Sequence, residues 1–241
     1  MRKPCYMMMI VDCLNYLLTE RGLAPVTGKT ADRFEKYADM LLQKNRVLNL
    51  TAIEDPAVIA ERHFADSLMI FKAANPSGKM IDIGCGGGFP GIPVKLYADM
   101  MGLELHLVMM DATAKKIAFV GEAANALELN DVKVIAGRAE EEIKKLGRES
   151  FDIATARAVA DMRVIAELAL PYLKTGGNFF AWKTEKAAEE VAAAEETVKL
   201  LGGVYAEKIP YGSFYVLRCE KVGVTPPKYP RRYAQIIKSK P

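Results

Sequence analysis

The stretch IDIGCGGGFPG, residues 81–91, decides the fold of this chain. It begins with apolar residues that favour a buried strand and continues into a glycine-rich turn. Gly84, Gly86 and Gly88 stand at the carboxyl end of that strand, where open α/β sheets bind their ligands. Glycine lets the backbone adopt positive φ and come close to a ligand. The stretch therefore predicts a strand–loop–helix unit whose loop contacts a nucleotide-like molecule.

Two carboxylates help to identify the ligand. Gly86, Gly88 and Gly91 satisfy the G-x-G-x-x-G pattern of dinucleotide-binding loops, so the glycines alone do not exclude a dinucleotide. Asp82 stands two residues before the first glycine of the loop, where an acidic side chain suits a ligand with an amino group better than a pyrophosphate. Asp111 ends the next apolar run and can accept hydrogen bonds from both ribose hydroxyls. The structural alternatives are a buried turn-forming role for Asp82 and a helix N-cap role for Asp111.

Strands and helices alternate after the glycine loop. The predicted strands are MIDIG (80–84), LHLVMMD (105–111), VKVIAG (132–137), FDIATARA (151–158), NFFAWK (178–183), VYAEKIP (204–210) and FYVLRCE (214–220). Repeated β–α units imply a parallel sheet with right-handed crossovers. The last two strands lack an intervening helix, so we expect a hairpin and an antiparallel strand at the end of the sheet. The predicted fold class is α/β, with a doubly wound, mostly parallel, seven-stranded sheet.

Helical patterns precede this sheet. Apolar residues recur at helical spacing over residues 6–20 and again from residue 29, and a third helix is expected to follow Pro56 toward Ala74. Residues 75–78, Asn-Pro-Ser-Gly, then interrupt the chain. We therefore expect an N-terminal helical extension (1–77), a core (78–223) and a basic C-terminal tail (224–241). Within the core, one long helix is expected over residues 185–201.

The composition is that of an ordinary globular protein. Charged residues make up 26% and the formal net charge is +3, which does not by itself indicate a nucleic-acid partner. No stretch is long and apolar enough to span a bilayer. Four scattered cysteines and two histidines argue against a zinc site and indicate reduced thiols in a cytoplasmic protein. We expect no metal, no membrane association and a monomer.

Four strings together resemble one known family. They are RHFADS (62–67), IDIGCGGGFPGIP (81–93), GRAEE (137–141) and FDIATARAVA (151–160). In this order, over nearly the whole chain, they are similar to the RsmG (GidB) family, bacterial methyltransferases that modify a guanine at N7 in small-subunit (16S) ribosomal RNA. The resemblance implies the Rossmann-like fold of class I S-adenosylmethionine-dependent methyltransferases. It also implies S-adenosyl-L-methionine as the cofactor, and 16S ribosomal RNA or a small-subunit precursor as the partner.

The resemblance assigns cofactor binding to five residues of the core: Gly84, Phe89, Ala139, Glu140 and Arg157. The residues predicted from the loop pattern complete the cofactor site: Asp82, Gly86, Gly88 and Asp111. Three residues match the family's motif before the core and are expected to close over the site and contact RNA: His63, Asp66 and Ser67. For Glu140 the spacing leaves an alternative, an exposed carboxylate at a helix start. Ala112 departs from the serine that the family often has there.

Methylation at guanine N7 makes a simple chemical demand on the protein. N7 carries a lone pair and no proton, so the reaction requires no general base and depends on placing N7 in line with the methyl group. Arg157 is the one candidate catalytic residue, in a positioning role; its alternative is a plain salt bridge. TARAVAD at 155–161 replaces the N/D-P-P-Y/F sequence typical of exocyclic-amine methylation. No cysteine is placed to attack a pyrimidine carbon.

Positive charge near the C-terminus is the predicted RNA contact. The basic residues from 221 onward are Lys221, Lys228, Arg231, Arg232, Lys238 and Lys240, with no acidic residue among them. Tyr229 and Tyr233 lie between them, and such a segment can bind phosphates and stack on bases. Arg231 and Arg232 are the candidates here, together with Lys183 at the end of the fifth strand. The alternative is that these side chains are simply solvated.

Two other functions remain open from the sequence. The chain could be a methyltransferase acting on another RNA or on a small molecule. It could also be a non-enzymatic RNA-binding module on a degenerate methyltransferase fold, although the intact glycines and the two aspartates argue against this. Binding of S-adenosylmethionine separates the enzymatic hypotheses from the non-enzymatic one.

Overall fold

Within the described residues, 9–238, seven strands form one mixed sheet in the order β3-β2-β1-β4-β5-β7-β6. The structure is a computed structural model. The strands are β1 (Gly78–Ile83), β2 (Leu105–Asp111), β3 (Val132–Ala136), β4 (Phe151–Arg157), β5 (Leu173–Thr184), β6 (Gly203–Tyr211) and β7 (Phe214–Lys221). Strands β1 to β5 pair in parallel, whereas β7 is antiparallel to both of its neighbours. The predicted doubly wound, mostly parallel, seven-stranded sheet is confirmed.

The predicted hairpin ends the sheet, and its pairing is antiparallel. β7 lies between β5 and β6, so β6 is the edge strand. Most residues of β7 are buried, so this strand needs neighbours on both sides. β6 has an exposed polar middle around Glu207 and Lys208, followed by Pro210. Charges and proline suit an edge strand, because they discourage pairing with another chain.

Helices cover both faces of the sheet. In the described part of the chain the α-helices are α1 (Ile10–Glu20), α2 (Gly28–Leu48), α3 (Pro56–Val58), α4 (Gly91–Met100), α5 (Ala114–Ala126), α6 (Ala139–Leu146), α7 (Met162–Ala169), α8 (Ala188–Ala193), α9 (Glu195–Leu200) and α10 (Tyr233–Lys238). The helix predicted after Pro56 is irregular. It begins as α3, capped by the Asp55 carboxylate, and continues as a π-helical turn (Ile59–Ala65) and a 3-10 helix (Ser67–Lys72).

The helix predicted over 185–201 is also divided. A 3-10 turn (Glu185–Ala187) is followed by α8 and α9, which are separated at Ala194. Ala194 is buried beside Val198 in the hydrophobic cluster on that face of the sheet. Sequence periodicity alone did not reveal this interruption.

Two hydrophobic clusters form the core, one on each face of the sheet. The first joins residues of the N-terminal helices, such as Leu14, Phe34 and Leu41, to α4 and α5. The second contains α7, α9 and residues of the C-terminal segment such as Ile236. The N-terminal segment therefore shares its hydrophobic cluster with the sheet. The division of the chain into extension, core and tail stays a prediction.

The cysteines differ from the expectation of four reduced thiols. Cys13 is disulfide-bonded, whereas Cys85 and Cys219 are free and buried. Among residues 9–238, no helix combines the length and the apolar character needed to cross a membrane. The same residues contain no group of three or more His, Cys, Asp or Glu side chains that could hold a metal ion.

Candidate active site

Asp82 holds the glycine loop from beneath. Its carboxylate is fully buried, with Oδ2 accepting a hydrogen bond from the Gly91 amide at 2.9 Å and Oδ1 accepting one from Thr155 Oγ1 at 2.9 Å. Burial raises the pKa of Asp82 to about 7, although both hydrogen bonds act in the opposite direction. Both oxygens are thus committed to fixing the loop against β4 and the start of α4. This arrangement corresponds to the structural alternative for Asp82.

Gly84 and Gly88 allow the loop its close packing. Both have positive φ, +70° at Gly84 and +101° at Gly88. A Cβ at Gly84 would lie 2.5 Å from Cγ2 of Val159, and one at Gly88 would lie 2.7 Å from Oη of Tyr37. Gly86 also has positive φ, but a Cβ there would meet no atom within 4 Å. All three positions thus require glycine because of their positive φ. Gly84 and Gly88 also require it because a Cβ would clash with a neighbouring side chain.

A cavity of about 180 Å³ opens at the carboxyl ends of β1 and β2. Four of the predicted cofactor residues line it: Gly84, Asp111, Ala139 and Glu140. Ile83, Met110, Val159 and Leu168 supply apolar walls. Two carboxylates, set among apolar side chains, suit a nucleoside with hydroxyl and amino groups. Although Arg138 also lines the cavity, the two carboxylates disfavour a pyrophosphate beside them, because like charges repel.

Asp111 retains acceptor capacity on the cavity side. Its Oδ2 accepts from the Gly86 amide at 3.0 Å and its Oδ1 from the Thr113 amide at 2.8 Å. These bonds use two of the roughly four acceptor sites of a carboxylate. Asp111 therefore shapes the loop and the turn before α5, and can still accept hydrogen bonds from a ligand.

The start of α6 forms the opposite side of the cavity. The Ala139 carbonyl accepts a hydrogen bond from Tyr172 Oη at 2.7 Å, which fixes the backbone at this turn. Glu140, Glu141 and Glu142 stand in the first turn of α6, where a helix dipole favours negative charge. Glu140 combines both roles that the spacing left open, since it is a helix-start carboxylate and also lines the cavity.

An aromatic layer from the N-terminal segment covers the loop. The rings of His63 and Phe89 stack with centroids 4.4 Å apart, and Tyr37 lies 5.4 Å from Phe89. Tyr37 Oη donates a hydrogen bond to the Gly87 carbonyl at 2.6 Å. The sequence identified Tyr37 only as part of an apolar helix face, because nothing in the local pattern connects α2 with the loop.

His63 is held in its neutral form. Its Nε2 lies 2.7 Å from Thr51 Oγ1, and burial, aided by the nearby Arg157 and Arg62, lowers the pKa of His63 to about 3. An imidazole with this pKa is a poor proton acceptor at neutral pH. Cys85 is no better placed, since burial raises the pKa of its thiol well above the usual range.

Arg157, at the end of β4, ties the segment before β1 to the sheet. Its guanidinium donates to Ser67 Oγ at 3.1 Å and to the Arg62 carbonyl. Ser67 Oγ in turn donates to the His63 carbonyl at 2.5 Å. Burial lowers the pKa of Arg157, while the neighbouring Asp66 raises it. Arg157 thus organises the backbone of the predicted motif RHFADS.

Asp66 completes this polar layer. Its carboxylate pairs with Arg21 at 2.9 Å and with Arg62 at 3.3 Å, and its carbonyl accepts from Trp182 Nε1 at 2.7 Å. Burial raises the pKa of Asp66, and the surrounding arginines oppose that shift. His63, Asp66 and Ser67 are all buried, so they lie beneath the site surface. The sequence did not reveal Arg21, which comes from the end of α1.

The basic candidates for RNA contact are placed differently from one another. Lys183 Nζ donates to the Ala160 carbonyl at 3.0 Å and pairs with Glu190 at 2.6 Å. Arg231 forms a two-pronged pair with the buried Glu167. Arg232 is exposed and lines a cavity of about 630 Å³ beside α6.

Lys221 does not belong to an exposed basic tail. It is fully buried, and its Nζ donates to the Leu170 and Leu201 carbonyls at 3.0 Å each. Burial lowers its pKa to about 8. The expectation that Lys221 is part of an RNA-binding tail was therefore wrong. Lys240 lies outside the described residues.

Three features together define a class I S-adenosylmethionine-dependent methyltransferase: the order of the strands in the sheet, the glycine loop, and the acidic residue that ends β2. The fold is similar to that of an S-adenosylmethionine-dependent methyltransferase from Aquifex aeolicus, with a TM-score of 0.55 and 16% identity over 72% of this chain and 97% of that one. It is also similar to M. jannaschii TYW2 in complex with AdoMet, with a TM-score of 0.51 and 13% identity over 65% of this chain and 74% of that one.

Sequence comparison narrows the class to one family. The family model GidB, described as rRNA small subunit methyltransferase G, matches residues 30–210. The ribosomal RNA small subunit methyltransferase G of Lachnoclostridium phytofermentans is 39% identical over 86% of this chain and 88% of its own length. The protein of the same name from Clostridium tetani is 34% identical over 94% of this chain and 97% of its own length. The chain belongs to this family, as the sequence resemblance predicted.

Proposed function

We propose that this chain transfers the methyl group of S-adenosylmethionine to N7 of a guanine in small-subunit ribosomal RNA. The observation that carries the proposal is that His63 and Cys85 are poor proton acceptors at neutral pH and that both oxygens of Asp82 are committed to the glycine loop and β4. A cavity of about 180 Å³ with two carboxylates adjoins a layer in which His63 is neutral and Asp66 is paired with arginines. Methylation of a ring nitrogen that carries no proton is the reaction that such a site supports best.

The cofactor fits the cavity beside the glycine loop. Asp111 has lone pairs available for the ribose hydroxyls, and the turn at Ala139 and Glu140 borders the space for the base. When bound, S-adenosylmethionine supplies an electrophilic methyl group on a sulfonium. Asp82 contributes indirectly, because it fixes the loop backbone that lies against the cofactor.

The residues of this chain accelerate the transfer by position. Holding two reactants in line can lower a barrier by roughly 7–11 kcal/mol in favourable cases. Arg157 is the positioning residue, since its guanidinium fastens Ser67 and the Arg62 carbonyl to the end of β4. We propose that this layer, with the His63–Phe89 stack, sets the depth to which the target guanine can enter.

Two arginines, the half-buried Arg62 and the exposed Arg232, supply the contact with RNA in this proposal. Arg62 lies with its guanidinium 3.6 Å from the centroid of the Phe214 ring and keeps 28% of its side chain exposed. Arg232 is exposed and lines the cavity of about 630 Å³ beside α6. If Arg62 turned to a phosphate, the buried Asp66 would keep Arg21 as its partner at 2.9 Å. We further propose that a single chain acts on 16S ribosomal RNA or on a small-subunit precursor.

The test is transfer of labelled methyl from S-adenosylmethionine to small-subunit RNA that lacks the modification. Naked RNA and assembled subunits are tested side by side. Label is expected on the RNA in both, and no label is expected on the ribosomal proteins. Asp111→Asn is expected to label more slowly at limiting cofactor and to recover at saturating cofactor. Cofactor binding without any label on RNA would contradict the proposed acceptor.

A further inference from the structure

The cofactor cavity has a wall that comes from the far end of the chain. Tyr233, the first residue of α10, lines the same cavity of about 180 Å³ as Gly84, Asp111 and Glu140. It also lines the neighbouring cavity of about 630 Å³, together with Arg138 and Arg232. Tyr233 thus stands between the predicted cofactor site and an open cleft beside α6.

The segment that carries Tyr233 is anchored to the core. The Arg231 backbone amide donates to Glu167 Oε1 at 2.8 Å, and its guanidinium donates to the two oxygens of Glu167 at 2.9 and 2.6 Å. Glu167 and Ile236 are fully buried. Arg163 Nη1 donates to the Ile236 carbonyl at 2.8 Å. Contacts on both sides of Tyr233 therefore fix its position.

Further contacts hold the preceding residues. Arg148 donates to the carbonyls of Thr225 and Tyr229, and the Thr225 amide donates to Glu149 Oε1 at 2.9 Å. Residues 222–238, here called the C-terminal strap, consequently lie along one face of the core. A strap with so many contacts to the core is a structural element of the cavity wall rather than a free basic arm.

The chemistry around Tyr233 suits a flat, uncharged base. The apolar side chains of Ile83, Val159 and Leu168 share its cavity. The Arg138 guanidinium lies 5.5 Å from the centroid of the tyrosine ring, on the solvent side of the turn that precedes α6. An aromatic ring at such a place can stack on a base, an interaction that tolerates any base because each has a π face.

We propose that Tyr233 is a cofactor-binding residue whose ring forms the outer wall of the site and packs on the adenosyl group. The inference rests on the assignment of S-adenosylmethionine to this cavity. It gives the C-terminal strap a role in cofactor affinity that is separate from any contact with RNA. The ring carries the interaction, and the phenol hydroxyl is not required.

Equilibrium binding in the absence of RNA tests this role. Calorimetry with S-adenosylmethionine and with methylthioadenosine, which lacks the amino-acid part, would compare the full chain with Tyr233→Ala and Tyr233→Phe. We expect Tyr233→Ala to weaken both ligands by about tenfold. Tyr233→Phe is expected to stay within about twofold of the natural chain. Ile237→Ala, at an exposed position of the same helix, is the matched control and is expected to change neither affinity.

A second measurement keeps the inference testable if Tyr233→Ala disturbs the strap. In the natural chain, saturating methylthioadenosine is expected to slow hydrogen exchange of the amides in residues 233–238. Unchanged affinity in Tyr233→Ala, an equal loss in Tyr233→Phe, or unchanged exchange in α10 would overturn the inference. Because no RNA is present, a failure of methyl transfer to guanine would leave these results standing.

Discussion

At the scale of single residues, Asp82 and Asp111 have the same side chain but different roles, because their surroundings differ. Asp82 is fully buried, and both of its carboxylate oxygens accept hydrogen bonds from the protein. Asp111 is partly exposed and faces the cavity. The sequence placed both in the cofactor site, since spacing identifies the acidic positions of the loop. Spacing does not tell which carboxylate faces the ligand, because that depends on partners such as Thr155, which is distant in the chain.

Replacing Asp82 is expected to change how stability depends on pH. Burial raises its pKa from the ordinary 3.8 to about 7 in the folded protein. The folded state therefore holds this proton more tightly, so the stability linked to Asp82 is fully present below pH 3.8 and lost as pH rises through 7. Relative to Asp82→Asn, the natural chain is expected to lose roughly 1 kcal/mol of unfolding free energy per pH unit across that window.

Urea unfolding of both chains at several pH values between 4.5 and 7.5 measures this difference. Asparagine keeps an acceptor for the Gly91 amide, which limits other effects of the change. Parallel stability curves for the two chains would contradict the raised pKa of Asp82.

At the scale of elements, the glycine loop is packed between the sheet and α2. The conformation of the loop was predictable from the glycines, but the aromatic layer that covers the loop was not. Tyr37 and His63, which stack on or beside Phe89 of the loop, come from helical segments that meet the loop only in the folded chain. For the same reason the sequence predicted a regular helix after Pro56, whereas contacts of Ser67 and the Arg62 carbonyl with Arg157 accompany π and 3-10 turns.

Two alanine substitutions in the loop distinguish the stability cost of a positive φ from the stability cost of a steric clash. Gly88→Ala combines positive φ with a Cβ 2.7 Å from Tyr37 Oη, and is expected to cost about 3 kcal/mol of stability. Gly86→Ala has positive φ but open space, and is expected to cost about 1 kcal/mol. Chemical denaturation measures both; equal costs would show that contact with α2 does not constrain Gly88.

Arg157 connects two elements, so its loss is expected to act on the rate. In Arg157→Ala the contacts of Ser67 Oγ and the Arg62 carbonyl with the guanidinium are lost, and we expect single-turnover methyl transfer to fall by about 100-fold. The shape of the pH–rate profile is expected to stay the same, because Arg157 moves no proton. Arg157→Lys is expected to recover part of the rate. Normal cofactor binding and normal turnover in Arg157→Ala would exclude the positioning role.

At the scale of the whole molecule, the chain closes on itself through the C-terminal strap. The sequence predicted a basic tail from its composition, and composition cannot distinguish a cation that faces solvent from one that pairs with a buried carboxylate. Lys221 is buried and Arg231 holds Glu167, while Arg232 remains exposed. The alternation of strands and helices, by contrast, was sufficient to predict the sheet, because each β–α unit contributes locally to the global pattern.

Substitutions of the adjacent arginines Arg231 and Arg232 are expected to affect different properties, the first the stability of the chain and the second its binding to RNA. Arg231→Met leaves Glu167 buried without its main partner and is expected to lower stability by about 3–5 kcal/mol. Arg232→Ala is expected to leave stability nearly unchanged and to reduce the salt slope of RNA binding by about 0.7. Thermal unfolding and RNA titrations at several salt concentrations measure the two effects. A reduced salt slope in a stably folded Arg231→Met would instead assign the RNA contact to Arg231.

The most direct measurement identifies the base that receives the methyl group. Small-subunit RNA lacking the modification would be incubated with the purified chain and methyl-labelled S-adenosylmethionine, and then digested to nucleosides for separation against standards. The account predicts that the label migrates as 7-methylguanosine and disappears when cofactor binding is abolished. Label in another nucleoside, or on an exocyclic amine of guanine, would contradict the proposal that guanine N7 is the acceptor.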